Sequence, residues 1–194
     1  MLVLAFDSET TGIPHTNLPL DHPAQPRMVQ LGAVLCDLQG RELKTMSTLI
    51  KPDGWEVDYD SELVHGWTTE DCEFLGIPVA DAISEFSRMA AEADLVTAHH
   101  LAFDRRILEI EKAHNPGIAL PGFPGVCTME LSAPIVGIPY RGGYKWPSLV
   151  EAVNCLTAGT ITDDDLHDAL DDARYCMQVT MALIEMGLVA SDLI

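Results

Sequence analysis

Acidic side chains arrive in three separated segments of this chain, and their types and order point to one shared site. Asp7 and Glu9 lie in 2–12 (LVLAFDSETTG), Asp104 lies in 98–108 (AHHLAFDRRIL), and Asp172 lies in 167–173 (HDALDDA), a segment that opens with His167. Bringing four carboxylates into a partly desolvated site is strongly unfavourable, because burial and mutual repulsion both oppose their charge. Divalent cations resolve that conflict. Oxygen ligands select hard ions such as Mg²⁺ or Mn²⁺, and two ions ~3.5–4 Å apart form the clamp used for in-line attack at phosphorus. One ion lowers the pKa of a water and orients it, while the other stabilises the leaving oxygen. A nearby imidazole such as that of His167 suits the task of taking that water's proton near neutral pH. A lone Asp-x-Glu is equally a strand end with one solvated acid, so only the five residues together carry this chemistry.

The elements around these residues must bring them together. Leu2 to Phe6 is a continuous apolar run that reads as a buried strand emerging into Asp7-Ser8-Glu9. Strand side chains alternate, so Asp7 and Glu9 point to one face and can chelate together. Segment 13–26 holds four prolines and no periodicity, which predicts a long loop. MVQLGAVLCD and ELKTMSTLIKP then read as two strands joined at Leu38-Gln39-Gly40, completing an antiparallel meander with the first strand. Short helical turns are expected over 60–75, with Thr68 or Thr69 as N-cap, and Val79, Ile83, Phe86 and Ala90 recur at helical spacing over 77–92.

Asp94–Ala98 is a short strand that leads through His99 and His100 into a helix carrying Phe103, Ile107 and Ile110 on one face, stopped at Pro116. The stretch Gly125–Thr128 supplies a fifth strand by a right-handed crossover. Segment 137–147 (GIPYRGGYKWP) reads as a mobile glycine-rich loop, with Pro147 opening the next helix. The last helix carries Leu166, Leu170, Ala173, Met177, Thr180 and Ile184, and Gly187 ends it. These elements make a single α/β domain over 1–194, a mixed sheet of about five strands with helices on both faces. Within the last helix the spacing poses a problem, since residues five apart lie about 140° apart and His167 and Asp172 cannot share a face of regular helix. With capping candidates at Thr162–Asp165, His167 can stand at the helix start and Asp172 in the second turn, but Asp168, one turn before Asp172, is a rival ligand.

Composition narrows the partners. With 30 acids against 11 bases the net charge is -19, too few cations to track a long duplex by releasing its counterions. A short or single-stranded substrate held at its end, or one delivered by a polymerase or other nucleic-acid-processing partner, fits better. No stretch reaches the roughly 20 apolar residues of a membrane span, there is no basic leader, and five scattered cysteines without a Cys-x-x-Cys pair fit a reducing compartment; the expected location is cytoplasmic.

The three acidic segments resemble the three motifs of the DEDDh 3′-5′ exonucleases, in order and spacing and over nearly the whole chain. That family includes the proofreading subunit of bacterial DNA polymerase III, RNase T and oligoribonuclease. The resemblance implies a ribonuclease H-like fold, with Asp7, Glu9 and Asp172 on a first metal, Asp7 bridging to a second, Asp104 supporting the second, and His167 as general base. It also selects Asp172 over Asp168. His65-Gly66-Trp67-Thr68-Thr69-Glu70 resembles the family's segment against the terminal nucleotide. Two departures stand out: His100 replaces the family's usual Asn, and the 13–26 loop is longer than in compact members.

The expected substrate contacts are Thr10, Thr11, His65, Phe103, Arg141 and Lys145. Phe103 can serve as a core residue or stack on a sugar or base, and 137–147, where Arg141 and Lys145 stand with Tyr144 and Trp146, either grips single-stranded nucleic acid or is a surface loop whose Trp146 packs into the core. The function expected is removal of nucleoside monophosphates from 3′ ends of single-stranded or frayed nucleic acid, DNA first. Alternatives are an oligoribonuclease-like enzyme acting on short RNA and an inactive nucleic-acid or partner-binding module on the same fold.

Overall fold

The computed structural model describes residues 1–189. One mixed sheet runs in the order β3-β2-β1-β4-β5, built from β1 (Leu2–Thr10), β2 (Met28–Asp37), β3 (Glu42–Leu49), β4 (Leu95–Ala98) and β5 (Gly125–Cys127). The first three strands are antiparallel, while β4 and β5 run parallel to β1 and to each other. Helices α1 (Tyr59–His65), α2 (Thr69–Leu75), α3 (Val79–Glu92), α4 (Leu101–His114), α5 (Thr128–Val136), α6 (Leu149–Leu156) and α7 (Ala169–Glu185) cover both faces.

Strand parity sorts the core. Leu4 and Phe6 join α3 and α4 residues in one cluster, where Phe6, Phe86 and Phe123 meet with ring centroids 4.8–6.2 Å apart. Burying Phe6 contributes about 1.5–3 kcal/mol. Val3 and Ala5 belong to the other cluster, with α6 and α7. The same alternation carries Asp7 and Glu9 onto the α7 face and Ser8 onto the α4 face. Between Glu9 and Thr10 the β1–β2 register slips, leaving Val29 as the extra residue, a bulge that bends the strand beside the acids.

One close approach sets the distance between α7 and the sheet. Gly32 pairs with Asp7, and a Cβ on it would lie 2.1 Å from the carbonyl carbon of Ala169 and 2.2 Å from the amide nitrogen of Leu170. The first turn of α7 therefore rests directly on the β2 backbone. Gly32→Ala should cost about 1–3 kcal/mol or more, because backbone rather than a flexible side chain must yield. We expect a lower melting temperature together with lost turnover, as α7 lifts from Asp7; an unchanged melting temperature would show that α7 can slide freely.

Several expectations need correction. Segment 137–147 is a small ribbon of β6 (Pro139–Tyr140) and β7 (Gly143–Tyr144), closed by the Lys145 amide on the Ile138 carbonyl, rather than a loop without structure. Pro147 does not open α6; Ser148 caps it in a reciprocal box with Glu151. Thr162–Asp165 caps only its own short 3₁₀ turn, Leu166 lies outside the last helix, and α7 is capped by Asp168. Trp146 stays 58% exposed and is no core residue. Thr68 does cap α2, and Gly187 ends α7 in a left-handed conformation.

Candidate active site

The acids converge at the end of β1. Asp104 is buried in the first turn of α4, where its Oδ1 accepts from the Ser8 hydroxyl at 2.7 Å. Ser8 thus reaches from the opposite face of β1 and ties α4 to the strand that carries Asp7 and Glu9. Asp172 approaches from α7, and the conflict between His167 and Asp172 disappears because His167 precedes the helix. His167 has φ 77°, a left-handed conformation unusual for a residue with a side chain. That turn directs its backbone N–H onto both Asp172 oxygens at 3.3 Å.

Asp168 is engaged as the cap of α7. Its Oδ1 accepts from the Leu170 and Asp171 amides at 3.0 and 3.2 Å, and its Oδ2 accepts from Gln30 at 2.8 Å. Gln30 in turn uses its full bonding capacity: its Nε2 also donates to Ser47 at 3.1 Å, and its Oε1 accepts from Trp67 Nε1 at 3.0 Å and the Ala169 amide at 3.1 Å. Gln30 is the register partner of Glu9, so a strand side chain fixes both the start of α7 and the segment after His65.

Electrostatics agree with the crowding. Burial, then the charges of Asp104, Asp172, Glu9 and Asp168, hold Asp7 well above the usual carboxylate range. Burial with Asp172 and Asp104 pushes Glu9 up to about 8. Asp104 and Asp172 rise to about 7, each mainly through burial, opposed by the Ser8 bond and the His167 amide respectively. No Lys or Arg forms an ion pair with any of the four among the described residues. Glu9, His167 and Asp172 offer ligand atoms within 4.8 Å of one another. A buried, unneutralised set of oxygen donors fits hard divalent cations.

The remaining expected contacts sit around this centre. Thr10 and Thr11 shape the strand end, the first hydroxyl donating to the Gly12 carbonyl at 2.7 Å and the second accepting from the Arg27 amide at 2.9 Å. His65 is buried at the end of α1, just before the left-handed Gly66; its Nδ1 accepts from the Trp67 amide at 3.1 Å, and its Nε2 is buried without a partner. Burial lowers its pKa below the ordinary imidazole value. Phe103 is half-buried, Lys145 is paired with Glu151 at 2.7 Å, and Arg141 lies exposed on the ribbon over the Tyr140 ring.

Four supporting residues escaped the sequence: Ser8, Gln30, and the buried pair Arg27–Glu111, whose two bonds of 3.0 and 2.8 Å fasten the end of the proline-rich loop to α4. Polar residues inside otherwise apolar strands were the available signal for Ser8 and Gln30.

The sequence pattern of the RNase T exonuclease family matches residues 4–180. No curated protein matches the chain in sequence. The solved nuclease domain of 3′hExo, a DEDDh family member bound to rAMP, is similar with a TM-score of 0.71 at 12% identity, over 96% of this chain and 93% of that one. E. coli exonuclease I in complex with a dT13 oligonucleotide is similar with a TM-score of 0.72 at 16% identity, over 96% of this chain and 41% of that one, so this chain spans about two fifths of its length. A 3′-exonuclease solved in 3′-end recognition of a histone mRNA stem-loop gives 0.70 at 11% identity, over 96% and 83%. These structures share the ribonuclease H-like fold, and with the match over 4–180 the chain belongs to the RNase T exonuclease family.

Proposed function

We propose that this chain removes nucleoside monophosphates one at a time from the 3′ ends of single-stranded or frayed nucleic acid in a metal-dependent reaction. The observation that carries this reading is the cluster of Asp7, Glu9, Asp104 and Asp172, buried together without a cationic partner beside His167. Asp7, Glu9 and Asp172 would hold one divalent cation, with Asp7 shared and Asp104 assisting at a second. When bound, such ions supply positive charge against the phosphate and the leaving oxygen. His167 accepts the proton of the attacking water as its oxygen bonds phosphorus, and the bond from phosphorus to the O3′ of the preceding nucleotide breaks. His65, whose Nε2 is buried without a partner, is the side chain assigned to the terminal nucleotide.

The fold accommodates both kinds of strand, since the solved relatives hold rAMP, a histone mRNA stem-loop and dT13. DNA is the first substrate to test. A panel of 3′-labelled DNA and RNA, single- and double-stranded, with Mg²⁺, Mn²⁺ or EDTA, checks the reading; endonucleolytic products or cleavage in EDTA would contradict it.

His167→Ala separates the roles left to this histidine. Loss of general-base assistance should lower the rate about 10²–10⁴-fold. Metal affinity, measured calorimetrically, should change less than about threefold, because the amide that holds Asp172 remains. A parallel collapse of affinity would make the imidazole a ligand alongside Glu9 and Asp172.

A further inference from the structure

Beside Asp104, on the side of β1 away from His65, lies a group of rings that the proposed chemistry does not use. The His100 ring, exposed on the turn that starts α4, stacks on Phe103 at 5.8 Å with the planes 25° apart, and it faces the Trp146 indole at 6.5 Å and 55°. Tyr140 and Tyr144 on the ribbon are about half exposed as well.

These rings are held by anchored backbone. Buried His99 bridges Thr128 Oγ1 at 2.9 Å and the Pro147 carbonyl at 3.0 Å, pinning the residue after Trp146 against the end of β4. Lys145, before Trp146, is fixed through its amide to Ile138 and through its ammonium group to Glu151. Backbone on both sides of the indole is therefore tied down while the indole itself stands in solvent. An exposed large apolar ring in a fixed place marks a binding surface better than a scattered one does.

We propose that His100 and Trp146 form a slot for an unpaired nucleobase on the 5′ side of the bond being cut; this rests on the reading of the neighbouring acids as the hydrolytic centre. The sheet order supports the direction. The segment after His65 is tied through Trp67 to Gln30 of β2, whereas His100 follows β4 on the other side of β1 and Trp146 is held near it by the Pro147–His99 bond, so the two groups flank the acids of β1. A strand cut at the acids has its terminal nucleotide on one side and its remainder on the other. The spacing supports the ligand: 6.5 Å is close to twice the ~3.4 Å rise of stacked bases, and turning the exposed indole parallel to the imidazole leaves room for one base. Stacking tolerates any base and needs no cation, which suits a chain of net charge -19. A base inside a duplex has both faces covered by its stacked neighbours, so the slot favours single strands.

Binding of fluorescein-labelled dT10 is measured by anisotropy with Ca²⁺ in place of Mg²⁺. Trp146→Ala should raise Kd about tenfold and Trp146→Phe less than about threefold, while Leu43→Ala, on the far edge strand, leaves Kd unchanged. Because both rings act on one base, the double variant His100→Ala/Trp146→Ala should bind little worse than Trp146→Ala alone. A single abasic nucleotide moved along dT10 should weaken wild-type binding about tenfold at one position and leave Trp146→Ala unaffected there. Wild-type affinity in Trp146→Ala, or an abasic scan that is flat, overturns the slot. If the slot pattern holds while the wild-type protein cleaves nothing in Mg²⁺ or Mn²⁺, the hydrolytic reading fails and the slot stands; cleavage with an unchanged Trp146→Ala affinity is the reverse.

Discussion

Asp7→Asn should abolish hydrolysis and at the same time make the metal-free protein more heat-stable. Asp7 is surrounded by Asp104, Asp172, Glu9 and Asp168, and both burial and those charges oppose its ionisation. The amide keeps the shape and removes one charge from the cluster, so folding in EDTA at pH 8 no longer has to confine it. A rise of a few degrees in melting temperature is the expected sign. Turnover moves the other way: on the proposed mechanism a carboxylate that holds a catalytic cation supports several kcal/mol of transition-state stabilisation, and its loss corresponds to at least about a thousandfold in rate. Opposite movements of stability and activity distinguish this residue from one that merely holds the fold. Retained turnover in Mg²⁺ or Mn²⁺ would remove Asp7 from the mechanism.

The second large effect is a pH dependence that the cations reverse. Glu9 is raised to about 8, and Asp104 and Asp172 to about 7. Between the ordinary carboxylate range near pH 4 and about pH 8, the folded protein therefore holds protons that the unfolded chain has released. Stability changes with pH in proportion to the protons bound by the unfolded state minus those bound by the native one, a negative difference here. The melting temperature in EDTA should thus fall steadily from pH 5.5 to pH 8. Divalent ions need the deprotonated carboxylates, so their stabilisation should grow over the same range. At a hundredfold excess over Kd the gain is about 2.7 kcal/mol, or roughly 5–10 °C for a chain of this size. Thermal scans at pH 5.5 and 8, each with EDTA and with Mg²⁺, check both slopes. A metal shift of equal size at both pH values would mean that the cations bind elsewhere.

Much of this arrangement was legible because local patterns and the fold agree. The apolar run before Asp7, the hairpin turn at Leu38-Gln39-Gly40 and the helical spacing of Val79, Ile83, Phe86 and Ala90 each express a short-range rule that the tertiary structure leaves intact. What was illegible depends on partners remote in sequence. Among the acids of 163–172, several cap a helix equally well on local grounds, and Asp168 is distinguished by Gln30, 138 residues away. Gly32 looks like an ordinary interruption in an apolar strand until α7 is laid on it. The two-residue strands of the ribbon are too short to show any period. The left-handed His167 carries no sequence mark at all, since glycine or asparagine is the usual signal for that conformation.

Gln30 gives these separate observations a common outcome. Its one amide group binds the cap of α7, the first amide of that helix, the indole after His65 and a hydroxyl on β3. The start of α7 and the segment after His65 are therefore held in place by one side chain of an interior strand. A protein so poor in cations gains little from long-range attraction of its substrate. With these segments already ordered, it loses little of the remaining binding energy to freezing its own chain.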